Sequence, residues 1–199
     1  MGAAWDGENL DNRQQIARVL KDSGERILVI STTNKATDAV AFSLGEAAKE
    51  YCPDLLNDKT LQRIGKGSSF QAFAKRGLEP MLAGTESDSL SQVDTLAHRY
   101  EAFDSSEDKA LTRKQITELQ ASIHDRSNQI FMDFDKRAVI STAFKAMSML
   151  KREGIRRMVE SGEAPFTTIF IDEAGLISRA AVAVLSLLAA RRVVLVGDS

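Results

Sequence analysis

The chain has 199 residues, 43% of them apolar and 27% charged, with 26 Lys plus Arg against 28 Asp plus Glu. That length supports one sizeable core, or one domain carrying an elaborate insertion, and the composition excludes disordered and fibrous classes. A formal net charge of −2 excludes a generally basic surface, so basic patches must be local, and one cysteine with two histidines excludes an internal disulfide and a zinc site. No apolar run approaches the 18 or so residues of a membrane span, and Asp6 and Glu8 lie where a signal peptide needs apolar sequence, so the expectation is a cytoplasmic protein with no membrane partner.

In chain order, Gly2 and Gly7 stand five apart and are followed by Glu8 and Asn9. Residues 9–22 then place Leu10, Ile16, Val19 and Leu20 at helical intervals, and Ser23-Gly24 supplies a stop. Ile27 to Ile30 form a continuous apolar run, the pattern of a parallel strand buried on both faces, and residues 35–50 return to a helical pattern. Leu61 to Ile64 is a weaker strand candidate ahead of Gly65. From about residue 85 to 136 the chain is rich in Ser, Asp, Glu, Gln and Lys, with Leu90, Val93, Leu96, Tyr100, Leu111, Ile116, Leu119 and Ile123 at helical intervals. Short apolar runs recur at Val139-Ile140, Ile169 to Ile171 and Val193 to Val196. This rhythm predicts an α/β domain, a parallel sheet flanked by helices, divided into residues 1–84, a projecting helical insertion over 85–136, and residues 137–199.

The chemistry concentrates where the strands end. Thr168-Ile169-Phe170-Ile171 runs into Asp172-Glu173, which puts two carboxylates at the carboxyl edge of a parallel sheet, where open α/β folds bind ligands. There Asp172 can hold Mg²⁺ and Glu173 can polarise an attacking water. The later strand closes in Gly197-Asp198, a further acid at the same edge if the two strands are neighbours. Ser31-Thr32-Thr33-Asn34-Lys35 follows the first strand and opens a helix, where hydroxyl and amide groups reach phosphate or simply cap the helix. Val139-Ile140-Ser141-Thr142-Ala143-Phe144-Lys145 repeats that arrangement, with Thr142 and Lys145 as phosphate contacts. Trp5, His98 and His124 read as packing or surface residues, and Arg156-Arg157 and Arg191-Arg192 as solvated doublets.

Taken in order, these segments resemble the first RecA-like motor domain of superfamily 1 DNA/RNA helicases, in the branch of the nonsense-decay helicases. Thr33-Asn34 is similar to motif Ia, Val139 to Ala146 to the strand-then-Ser/Thr segment that touches nucleic acid, Phe170 to Glu173 to motif II, and Gly197-Asp198 to motif III. Leu61 to Gly65 is similar to a segment that precedes insertions in this branch. The resemblance implies a RecA-like P-loop NTPase fold with ATP and Mg²⁺ as cofactors, held by Gly2, Gly7, Glu8, Asn9, Gly197, Asp198 and the metal ligand Asp172. Asp172 and Glu173 would be catalytic. Thr33, Asn34, Thr142 and Lys145 would hold single-stranded DNA or RNA, and a second RecA-like domain, outside this chain, would complete the ATP cleft.

One segment departs from the family. A P-loop reads G-x-x-x-x-G-K-[ST]; here both glycines keep their spacing, but Glu8 replaces the lysine and Asn9 the hydroxyl. At about 4 Å and an effective dielectric near 20, a unit charge pair is worth roughly 4 kcal/mol, so the exchange turns attraction for a triphosphate into repulsion. The expectation is a helicase motor fragment, truncated after motif III, that binds no ATP and Mg²⁺ and does not hydrolyse ATP as written. The alternative is a catalytically inactive nucleic-acid-binding or scaffold module.

Overall fold

The computed structural model describes residues 24–65, 70–82, 86–102 and 105–197, together with Ile16 and Leu20. The strands are β1 (Ile27–Ser31), β2 (Leu61–Arg63), β3 (Ala138–Thr142), β4 (Phe166–Ile171) and β5 (Ala189–Leu195), paired in the order β2-β3-β1-β4-β5. All four pairings are parallel, as the recurring apolar runs implied. Every residue of β1 is buried, because both faces of a parallel sheet are covered; Ile27 to Ile30 are apolar, and the Ser31 hydroxyl has no hydrogen-bond partner among the described residues.

Side chains alternate between two cores. Ile27, Val29, Ile140 and Phe170 face α1 (Asn34–Tyr51), where Ala41, Leu44 and Ala48 meet them, and Ile16 and Leu20 join this layer. Leu28, Ile30, Val139, Ile169 and Ile171 face the opposite layer, built on α6 (Ala143–Met149), α7 (Glu153–Glu160) and α8 (Arg179–Ser186) through Ala146, Met149, Ile155 and Leu185. Each fully buried aliphatic contributes about 1.5–3 kcal/mol, and a one-residue slip of register would send each set into the core packed for the other.

Helix α1 begins at Thr33, whose hydroxyl accepts from the Ala36 N–H at 3.1 Å, and it ends before Cys52-Pro53. Short helices follow at α2 (Asp54–Asn57) and α3 (Phe70–Ala74), then a 3₁₀ turn at Glu79–Met81. A Cβ on Gly45 would lie 2.7 Å from Leu78 Cδ2 and from Met81 Sδ, so any larger residue there would force those two buried side chains to shift.

Helices α4 (Glu86–Ala102) and α5 (Ser106–Met132) pack against each other as a hairpin. Its root is part of the main core, since Ile123, Ile130 and Phe131 are buried there, so the whole of 85–136 is not a separate lobe. Ser127 Oγ accepts from the Gly65 N–H and Asn128 Oδ1 from Lys145 Nζ, both just past the carboxyl ends of β2 and β3. The carbonyls of Phe131 and Asp133 accept from Arg26, at the amino end of β1. Helix α5 therefore descends beside the sheet over its last turns, and its remaining length stands beyond the carboxyl edge, roughly 30 Å at 1.5 Å per residue.

The amino edge is held by two buried charges. Arg26 donates to the carbonyls of Lys136, Pro165, Phe131 and Asp133 at 2.6–2.9 Å and stacks on Phe166. Burial pushes its pKa down to about 10, with Asp133 opposing the shift, so it remains charged at neutral pH. Glu25 accepts from the hydroxyls of Thr167 and Thr168 and from Arg192 at 2.9 Å, with Arg191 at 3.6 Å. The Arg191-Arg192 doublet is thus an internal clamp as well as a surface feature. Among the described residues no helix is long and apolar enough to cross a membrane.

Candidate functional site

The register decides which residues meet. Ser31 lies opposite Thr142, Ile30 opposite Ile171, and Ile171 opposite Leu195. Thr32 to Asn34, Thr142 to Phe144, Asp172-Glu173 and Val196-Gly197 therefore share the carboxyl edge, with Thr33 and Thr142 following neighbouring strands. Gly2, Gly7, Glu8, Asn9 and Asp198, expected to form the nucleotide side, lie outside the described residues.

Asp172 is half-buried and its N–H donates to the Ile30 carbonyl at 2.8 Å. Burial raises its pKa above the usual carboxylate value, the Glu173 backbone N–H opposes this, and the Glu173 charge adds to it. Glu173 is exposed and left-handed, φ 52° and ψ 41°, a conformation that costs a non-glycine residue roughly 1–2 kcal/mol. Its carboxylate accepts from the Thr32 hydroxyl at 2.6 Å, which ties the loop after β4 to the loop after β1. Gly197, at φ +139°, closes the arrangement: a Cβ there would stand 3.3 Å from Ala174 N and 3.4 Å from Glu173 Cα. The role read from the sequence was cofactor binding; the contact present is close packing against the acidic turn.

A cavity of about 330 Å³ opens between these strand ends and α1, lined by Ile16, Val29, Val40, Phe170, Asp172 and Glu173 among others. Its described wall carries two carboxylates and no cation. Among the described residues no three His, Cys, Asp or Glu side chains gather to hold a metal ion, so Asp172 and Glu173 are the pair available to one.

On the other half of the edge, Thr33 and Thr142 both cap helices, accepting from the N–H groups of Ala36 and Lys145 at 3.1 and 3.2 Å. A hydroxyl that accepts in a cap still has its own proton to donate. Asn34 is exposed, with Oδ1 at 3.4 Å from Arg63 Nη2. Lys145 corrects the expectation: it is 6% exposed and Nζ donates to Asn128 Oδ1 at 2.7 Å, so it joins α6 to α5 rather than facing a ligand.

Three residues were not singled out from sequence. Thr32 lies within the segment after β1, but its partner is 141 residues away. Arg63, 2% exposed, donates to Asp38 at 2.8 Å and to the Ile64 carbonyl, holding the first turn of α1 against β2. Burial lowers the Arg63 pKa and raises that of Asp38, and their mutual attraction opposes both shifts. Phe144 is 79% exposed two residues after Thr142, an aromatic on the rim of the site.

The chain matches no family model and no curated protein. What the geometry defines is an α/β domain with a five-stranded, all-parallel sheet flanked by helices, consistent with the RecA-like class, with its polar loops gathered on one edge.

Proposed function

We propose that this chain is a RecA-like domain of the superfamily 1 helicase type that holds single-stranded DNA or RNA along its carboxyl edge and does not hydrolyse ATP by itself. The observation that carries the reading is the pairing of Ser31 with Thr142, which brings the Thr33 and Thr142 caps to the carboxyl ends of neighbouring strands. Each hydroxyl accepts from its own helix and can donate outward to a phosphate oxygen, while exposed Asn34 and the first turn of the 18-residue α1 add further donors. Exposed Phe144 offers a face on which a base can stack. In a motor of this type, ATP-driven closure against a second RecA-like domain would move the strand along this edge. A cytoplasmic location accords with a single cysteine and no disulfide.

The residues present do not fit a nucleoside triphosphate. The described cavity wall places Asp172 and Glu173 with no cation beside them, and Glu8 stands where the family carries a lysine. Asp172 remains able to ligate Mg²⁺, but this arrangement alone supports no hydrolytic step. Inactive binding is thereby favoured over turnover.

The test uses Thr33→Asp and Thr142→Asp. Asp caps a helix as well as Thr does, so folding is retained while a negative charge meets the phosphates. A labelled single strand titrated by fluorescence anisotropy is expected to bind the wild type with affinity that falls as salt rises, and to lose affinity with both variants. Phosphate release by the wild type should equal that of Glu173→Gln. Undiminished binding by the doubly substituted chain would refute the edge assignment, and turnover abolished by Glu173→Gln would refute the inactivity.

A further inference from the structure

We infer that the seam of the α4–α5 hairpin is a second contact surface for the same single strand, an inference that rests on the edge reading above. A groove of about 580 Å³ runs along this seam, and its wall includes Tyr100, Ser106, Lys109, Arg113, Lys114 and Thr117. Lys109, Arg113 and Thr117 follow one another at four-residue intervals and so share a stripe of α5, with Lys114 flanking it. Arg113 and Lys114 are exposed and Lys109 is half-buried; among the described residues none of the three forms an ion pair and no carboxylate lines the groove. A second cavity of the hairpin is different, since its wall includes Glu118 as well as Arg99. In a chain of net charge −2, three cations in one groove with no ion pair among the described residues are a local basic surface.

Two observations select single-stranded nucleic acid over an acidic peptide. Tyr100 stands in the same wall, and cations interleaved with an aromatic ring track a phosphate backbone while stacking a base. The hairpin also rises from the carboxyl edge: from Ser127, bonded to Gly65, back to Lys109 is roughly 27 Å of helix on the side where Thr33 and Thr142 lie. A strand leaving the edge in that direction meets the groove.

The experiment compares oligonucleotides of about four and about twenty nucleotides on the full chain, with the triple variant Lys109→Gln, Arg113→Gln, Lys114→Gln. Arg113 and Lys114 are exposed and Lys109 half-buried, and circular dichroism verifies that the variant is folded. Expected is unchanged affinity for the short oligonucleotide and weaker binding of the long one, with a salt slope smaller by about 2, the loss of three single-strand phosphate contacts. Between about 50 and 200 mM salt the wild type should then lose about twentyfold more affinity than the variant. Tyr100→Ala should weaken the long oligonucleotide roughly fivefold or more. An unchanged long-oligonucleotide affinity and slope overturns the seam while leaving the edge intact. If Thr33→Asp with Thr142→Asp leaves the long strand bound and the triple variant releases it, the edge reading falls and the seam stands alone. No binding of either oligonucleotide by the wild type overturns both. Displacement of the long strand by a poly-glutamate peptide of equal charge at lower concentration would give the groove to an acidic partner and overturn the inference.

Discussion

Replacing Gly197 by alanine tests the architecture of the acidic turn. At φ +139° the backbone is in a region that L side chains rarely enter, at a cost of roughly 1–3 kcal/mol. The added Cβ would also press on backbone, at 3.3 Å from Ala174 N and 3.4 Å from Glu173 Cα, beside the Ala174 N–H to Val196 carbonyl bond of 3.0 Å. Backbone on both sides gives way less than a side-chain end, so the combined cost should be roughly 2–4 kcal/mol. Gly162 supplies the control: its φ is +81°, but a Cβ there meets nothing within 4 Å, so Gly162→Ala bears conformational strain alone, roughly 1–2 kcal/mol. In a chain of this length each kcal/mol shifts Tm by about 2–4 °C, which places Gly197→Ala several degrees below Gly162→Ala in a calorimetric melt. Equal losses, or a smaller loss at Gly197, would refute the close packing of Gly197 against the Glu173 turn.

Two further outcomes follow from the buried charges. Arg26→Met leaves the carbonyls of Lys136, Pro165, Phe131 and Asp133 without their donor and should cost roughly 3 kcal/mol or more, read as a lower urea midpoint; an unchanged midpoint would remove Arg26 as the clamp of the amino edge. Asp172 binds its proton more tightly folded than unfolded, because burial raises its pKa, so its contribution is fully present below the unfolded value and lost as pH rises through the folded value. Asp172→Asn should therefore melt above the wild type at pH 7, the gap closing as pH falls to about 4 and below. A gap independent of pH would contradict the burial of that carboxylate.

The parallel sheet was legible because β1 and β4 contain continuous apolar runs, Ile27 to Ile30 and Ile169 to Ile171, a local property that needs no knowledge of partners. Strand β5 was legible only in its second half: Ala189 to Arg192 carry no apolar run, and Arg192 belongs to the strand because Glu25, 167 residues earlier, receives its guanidinium. The edge positions of Thr33 and Thr142 followed from the same local pattern. The fate of Lys145 did not, since its partner Asn128 sits on a different helix, and a lysine after a Ser-Thr strand end has the same sequence whether it faces solvent or a buried amide. Thr32 and Arg63 were hidden for the same reason: their roles come from Glu173 and Asp38, brought close by register rather than by spacing.

The central claim is that a single strand lies on the carboxyl edge, and photo-crosslinking reads that position most directly. A single-stranded oligonucleotide carrying photoreactive bases is bound to the full chain, irradiated, and the linked peptides are identified by mass spectrometry. Crosslinks to the peptides containing Thr33-Asn34 and Thr142 to Phe144 are the expected result. Crosslinks confined to the amino edge, around Arg26 and residues 133–137, would contradict the account.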